Sequence, residues 1–269
     1  MLKIGKGFIN RLTVLSTTMW LVSFTVFSTE SWGKYVYLIL ACVIFLLGVF
    51  QNGLKVSVAI EPFHIFTMIF LIYGFVTYLW AIDGSYTIKR MTTVAQTLLC
   101  MYLVYTSYRN DKNSERLLDC VMWAGYLVAV YAIYYYGLAT IRLVVQAGSR
   151  IDNDFANVNA IGMMAAYSLV ITFSKIINRH ISWSLFFSLP ALLMVIASGS
   201  RKAFIILFAG AFLVYLAHSM SKSKNIIETL FKFVAVCFIG AIGLMIIWSI
   251  PEFSPVTERL SQTLNQFTG

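Results

Sequence analysis

The sequence predicts an all-α fold, a multi-pass bundle of transmembrane helices crossing the bilayer about nine times from a cytoplasmic N-terminus. Three observations carry this. Hydrophobic residues make up 59% of the 269 and charged residues only 12%, with a mean hydropathy of +0.80, whereas soluble domains run nearer a quarter charged. The apolar residues fall in runs of roughly 16 to 21 divided by short polar patches, and about 20 helical residues cross the ~30 Å hydrocarbon core. Runs such as Tyr35 to Phe50 and Ile205 to Ala217 are apolar on every face. The strand of a transmembrane barrel instead alternates apolar and polar over about ten residues.

The elements follow in order. Lys3, Lys6 and Arg11 precede the first run, at 12–29. That layout resembles a signal peptide, but Phe27, Ser28 and Thr29 make a poor small-residue cleavage site, so the run reads as a retained span. Further spans are expected at 35–50, 63–80, 91–108, 117–136, 157–174, 181–198, 201–218 and 229–249. With the N-terminus inside, twelve of the 20 Lys and Arg residues are cytoplasmic; Lys34, Lys89, Arg90, Arg142, Arg150, Arg201, Lys202 and Arg259 lie outside. This bias agrees with the positive-inside rule, and Trp32, Trp80 and Trp248 at outer ends with Trp123 and Trp183 near inner ends suit aromatic belts. Pro190, inside the span 181–198, predicts a kink that opens a cavity. Gly137 to Ala156 is the longest polar-rich link and reads as an outer loop. Beyond the ninth span, Pro251 and Pro255 stop the helix, and Val256, Leu260, Leu264 and Phe267 recur at near-helical spacing. Two regions are therefore expected: a transmembrane helical domain at 1–249 and, at 250–269, the start of an extracytoplasmic amphipathic segment.

Composition also limits the chemistry. The net charge of +9 is mostly topology signal, so no nucleic-acid partner is expected. Cys42, Cys100, Cys120 and Cys237 all fall inside apolar runs without a CxxC pair, and read as buried thiols. No HExxH, Walker loop, GxGxxG or nucleophile elbow occurs and no acidic cluster suggests a metal, so no cofactor is expected. Gly240 with Gly243, and Gly162 with Ala165 and Ala166, read as close-packing sites. The run Tyr134 to Tyr136 reads as belt, with stacking on sugar as a minor option.

The sharpest anomaly is where the outer cations sit. Helices entering from outside present a positive macrodipole end there, which favours anions. Yet Lys34, Lys89 with Arg90, and Arg201 with Lys202 stand at three such starts, and Arg150 lies just upstream of a fourth. An anionic ligand at the outer face resolves the conflict, because free helix N–H groups and an arginine fork together make a phosphate site. The competing explanation is snorkelling to headgroups or pairing with Asp83, Asp152 and Asp154. Two segments stand out. In Ser198 to Lys202 a very short turn, capped by Ser200, holds Arg201 near the membrane surface. In Ser149 to Gly162 the density of amides and carboxylates, with Asn157 as a cap and Asn159 beside it, suits sugar hydroxyls or a plain Asx-rich turn.

Arg150-x6-Asn157-x-Asn159-Ala160-x-Gly162 before one span, with Ser198-Gly199-Ser200-Arg201 before the next but one, resembles the O-antigen ligase and O-antigen polymerase superfamily over about the second half of the chain. The resemblance implies a metal-independent membrane glycosyltransferase of the GT-C type. Such an enzyme polymerises or ligates glycan from an undecaprenyl-pyrophosphate carrier at the extracytoplasmic face of the bacterial plasma membrane, for O-antigen, capsule or exopolysaccharide. It further implies that Arg150 and Arg201 neutralise the pyrophosphate, with Lys202, Lys89, Arg90, Asn157 and Asn159 as further substrate-binding residues. The implied partners are the lipid-linked glycan, the bilayer and envelope-assembly proteins such as a chain-length regulator. Family polymerases carry an Arg-x10-Gly pattern, whereas eleven residues separate Arg150 from Gly162. Family ligases use a histidine in a large outer loop, whereas His64, His180 and His218 are on the expected cytoplasmic side. The chain is accordingly expected to be the N-terminal part of a longer protein, with Asp152 and Asp154 as fallback bases. Two other classes compete: a lipid-linked oligosaccharide flippase, against which the nearly charge-free span interiors count, and a non-catalytic membrane subunit.

Overall fold

In the computed structural model the described residues are 6–27, 32–51, 60–109, 111–147, 149–151, 156–178 and 185–222, with isolated helical positions between 227 and 238. All regular structure among them is helical: α1 (Lys6–Val26), α2 (Gly33–Gln51), α3 (Pro62–Val76) followed by a 3-10 turn (Thr77–Leu79), α4 (Gly84–Tyr108), α5 (Asp111–Tyr136), α6 (Leu138–Gln146), α7 (Val158–Ile177), α8 (Ser188–Ser198) and α9 (Arg201–Lys222). Among the described residues, four stretches are long and apolar enough to cross a membrane: Pro62–Leu79, Glu115–Tyr136, Val158–Ile177 and Arg201–Lys222. Exposed Ile65, Phe66, Ile69, Phe70 and Ile72 on α3 and Ile205, Phe208 and Leu213 on α9 suit a lipid surrounding. The chain is a membrane protein.

Two compact units divide the chain, the first comprising Met1–Phe24 and Glu30–Cys120, the second Thr25–Thr29 and Val121–Gly269. In the first, Trp20, Tyr37, Ala41, Ile44, Cys100, Val104, Tyr108 and Cys120 form the core. The helices here are rich in Ser and Thr, and α1 shows why an apolar surrounding tolerates them. Thr13, Thr17 and Thr18 each donate to the carbonyl four residues back, at 2.8 to 2.9 Å, so these three hydroxyls are not left bare. Thr17 also bonds the Tyr108 hydroxyl at 2.7 Å, and Gln51 donates to Thr13 Oγ1 at 2.7 Å.

The second unit is organised around α7, which packs on both α8 and α9. Its buried stripe is Val158, Ile161, Gly162, Ala165, Ala166, Ser168 and Thr172, of which Gly162, Ala165, Ala166 and Ser168 are small residues that let backbones approach where apolar area alone gives little drive for association. The Tyr126 hydroxyl of α5 bonds Thr172 Oγ1, which donates on to the Ser168 carbonyl at 2.8 Å.

Several expectations change. The link Gly137 to Ala156 contains α6, which Gly137, at φ 78°, joins to α5; a single fully buried side chain, Ile141, ties α6 down and leaves no long apolar stripe to read. Pro190 is the third residue of α8 and kinks nothing, because a first-turn N–H has no intrahelical acceptor to lose. Cys42 is exposed, while Cys100 and Cys120 are buried. The helix expected from residue 91 begins at Gly84, because Asp83 caps it: its carboxylate accepts from the Tyr86 N–H at 3.0 Å and the Ser85 hydroxyl at 2.8 Å. Lys89 and Arg90 therefore sit in the second turn of α4. Most of the span at 229–249, the segment 250–269, Cys237, His180, Asp152 and Asp154 lie outside the described residues.

Candidate functional site

Asn157, Asn159, Arg150, Arg201 and Lys202 all belong to the second unit, and the structure gathers their chain segments at one end of the α7, α8 and α9 group. Ala147 and Ser149 close the end of α6 by donating to the Leu143 and Val144 carbonyls at 2.8 and 3.1 Å. The chain then runs through exposed Arg150 to Ile151, which is buried and whose N–H donates to the Ala197 carbonyl at 3.4 Å. Arg150 is thereby tied beside the last turn of α8. Asn157 caps α7 as expected, its side chain accepting from the Asn159 N–H at 3.0 Å, and both asparagines are exposed.

The α8–α9 turn is built tightly. Gly199 closes α8 at φ 56°, a left-handed conformation suited to glycine. Its neighbours Ser198 and Ser200 are buried. Ser198 Oγ donates to the Val195 carbonyl at 2.9 Å and accepts from the Ser200 N–H at 3.3 Å. Ser200 Oγ accepts from the Ala203 N–H at 3.4 Å, which makes Ser200 the cap of α9. Arg201 and Lys202 follow as the first two helical residues, both exposed, with Ala203 buried beneath them. Gly162 of α7 lies directly against this turn: a Cβ there would stand 2.9 Å from Ser198 Cβ and 3.3 Å from Ala203 Cβ.

Neither α7 nor α9 carries an acidic residue in its first turn, so two positive helix ends and the cations Arg150, Arg201 and Lys202 are set in one region. Helix starts and arginine side chains are the groups from which phosphate sites are built. Lys89 and Arg90 belong to the first unit, where Arg90 Nε donates to the Tyr86 hydroxyl at 2.8 Å and its guanidinium lies 4.9 Å over the Tyr86 ring.

A second polar cluster, which the sequence reading missed, lies in the first unit. Glu61 caps α3, its N–H donates to His64 Nδ1 at 3.0 Å, and its carboxylate accepts from the Tyr105 hydroxyl and lies 3.9 Å from Arg109 Nε. The readable traces were Glu61-Pro62-x-His64 and the spacing of Tyr102, Tyr105 and Arg109 on one face of α4. Among the described residues no group of three or more His, Cys, Asp or Glu is placed to hold a metal ion. No family model matches the chain, no curated protein matches it and no solved structure matches its fold.

Proposed function

We propose that the chain is an O-antigen polymerase- or ligase-like membrane glycosyltransferase that takes glycan from an undecaprenyl-pyrophosphate carrier at the extracytoplasmic face of a bacterial inner membrane. The observation that supports it is the bond from the Ile151 N–H to the Ala197 carbonyl, which holds Arg150 beside the turn bearing Arg201 and Lys202. The topology that goes with this reading is nine spans with a cytoplasmic N-terminus, which puts that end of α7, α8 and α9 outside.

The chemistry follows from charge. An acceptor hydroxyl attacks the anomeric carbon while the bond to the carrier phosphate breaks, and negative charge grows on the leaving pyrophosphate. Fixed cations and oriented helix N–H groups stabilise that charge as it forms, without reorganising. Arg201 suits the role better than a lysine because a planar guanidinium grips two phosphate oxygens at once. Asn157 and Asn159, exposed at the start of α7, offer amides to sugar hydroxyls. Asp152 and Asp154 are the candidate acceptors for the hydroxyl proton.

The test is the contrast between neighbours. Arg201→Lys should cut polymer yield and lipid-pyrophosphate binding far more than Lys202→Arg, the lost charged hydrogen bond costing about 1.5 to 3 kcal/mol. Normal yield from Arg201→Ala, at matched protein level in the membrane, would remove Arg201 from the site.

A further inference from the structure

The start of α3 in the first unit joins five titratable side chains around one unusual hydrogen bond. Glu61 is the N-cap, with Pro62 in the first helical position, and the Glu61 N–H donates to a ring nitrogen, His64 Nδ1, at 3.0 Å. A nitrogen that accepts carries no hydrogen, so this geometry belongs to the neutral imidazole with its hydrogen on Nε2. The ring is flanked from α4 by Tyr102, edge-on at 5.0 Å between centroids, and by Tyr105 at 5.3 Å. The Glu61 carboxylate reaches α4, accepting from the Tyr105 hydroxyl, with Arg109 Nε at 3.9 Å. Glu61 from its own helix start, and Tyr102, Tyr105 and Arg109 from α4, are thus the titratable and charged groups facing His64 among the described residues.

The rest of α3 is loosely held. Gly74, near its far end, is the helix's buried residue, and Met91 of α4 lies close against it, its Sδ only 2.7 Å from where a Cβ would stand. The helix is therefore attached to α4 by a close approach at Gly74 and by polar contacts at Glu61.

We propose that the Glu61–His64 start of α3 is a proton-operated clamp, closed onto α4 while the imidazole is neutral and opened when it gains a proton. The step takes one proton from water onto Nδ1 and forms no other covalent bond. Nδ1–H then meets the Glu61 N–H, two donors that cannot share a 3.0 Å separation, and the cap is lost. The imidazolium attracts the nearest carboxylate, that of Glu61, and withdraws it from Tyr105 and Arg109, which are the groups joining this end of α3 to α4. The tyrosine rings accommodate the new cation. A positive charge at a helix N-terminus opposes the macrodipole, so protonation loosens the first turn rather than tightening it.

The full chain in lipid nanodiscs tests this at about pH 8 and about pH 5.5. Nitrogen-15 histidine spectra report the His64 tautomer, and hydrogen exchange over residues 60–66, corrected for chemical exchange rate, reports the cap. The expected result is an Nε2–H tautomer at the higher pH and a loss of protection of about fivefold at the lower, the scale of one neutral hydrogen bond. His64→Asn offers an amide oxygen that accepts the same hydrogen but does not titrate, so it should stay protected at both pH values; His64→Ala should be unprotected at both. An Nδ1–H tautomer at the higher pH, undiminished protection at the lower, or an equal loss in His64→Asn would each overturn the proposal.

Discussion

Gly162→Ala tests the packing beneath Arg201 while changing no charge. The added methyl would stand 2.9 Å from Ser198 Cβ and 3.3 Å from Ala203 Cβ, with Ser198 Oγ nearer still. Carbon pairs settle near 3.5 to 4.0 Å, so about 0.6 Å of clearance has to be found at Ser198. Ser198 has little freedom to give it: the residue is buried, and its hydroxyl both donates to the Val195 carbonyl and accepts from the Ser200 N–H. Rotating it away would strip the Ser200 N–H of its acceptor, so α7 must back away from the turn. Overpacking of this kind costs about 1 to 3 kcal/mol, while alanine in a helix returns up to about 1 kcal/mol over glycine. A net loss of about 1 kcal/mol should lower the thermal unfolding midpoint of the protein in detergent micelles. Gly7→Ala supplies the control, because nothing lies within 4 Å of a Cβ there. Adding Ser198→Ala to Gly162→Ala removes the nearest obstructing atom, so the pair should be non-additive by about 0.5 kcal/mol or more. Under the proposed function polymer yield should also fall, since a displacement of about 1 Å at a charge-stabilising group can cost about a hundredfold in rate. A wild-type midpoint for Gly162→Ala, or strictly additive effects in the pair, would refute the reasoning.

The Tyr86 N–H, and then the Ser85 hydroxyl, hold the Asp83 carboxyl below its ordinary range. A depressed folded-state value means the cap contributes fully above the unfolded carboxylate value and is lost as pH falls through the lower folded one; corrected amide exchange at Tyr86 should therefore rise on strong acidification, and Asp83→Ala should show that exchange at every pH. Gly137→Ala forces a side chain into φ 78°, at a cost of about 1 to 2 kcal/mol, visible as a lowered unfolding midpoint that Gly7→Ala does not share. Reporter fusions at Lys55, Asn113, Asn178 and Lys224 should read cytoplasmic and those at Gly84, Gly148 and Ser254 outside; an outside signal at Asn113, beside Arg109, Lys112 and Arg116, would overturn the proposed topology.

Helical class and the second unit's caps were legible because they are local. Asn157 and Ser200 each put a short polar side chain immediately before an apolar run, and Gly199 supplies the left-handed end of α8. The start of α4 was not, because an apolar run marks where a helix enters lipid rather than where it begins, and Asp83 lets it begin in the polar stretch Gly84 to Arg90. Pro190 was misjudged for a related reason: its consequence depends on the boundary at Ser188, which lies in unbroken apolar sequence from Leu185 to Leu189 apart from that one serine. The Glu61, His64, Tyr102, Tyr105 and Arg109 cluster draws on two distant segments, and pairing between α3 and α4 is a tertiary fact that neither segment's spacing contains.

Asp83 also separates the four outer cation sites that the sequence treats alike. A cation near a helix start is anomalous only where nothing negative answers the macrodipole. At α4 the Asp83 carboxylate answers it, and Arg90, a turn later, is engaged with Tyr86. The caps of α7 and α9 are the neutral Asn157 and Ser200, and their first turns hold no acid. Among the described residues, helix starts capped by neutral side chains therefore gather in the second unit, where the Ile151 to Ala197 bond also ties Arg150. This asymmetry ranks the residues within the proposed site. Neutralising Arg150 or Arg201 should weaken binding of a lipid pyrophosphate strongly, whereas neutralising Lys89 or Arg90 should leave it near wild type. Equal losses at all four positions, measured on the same vesicle-reconstituted protein, would show that the field is general to the outer face and that Arg201 holds no special place.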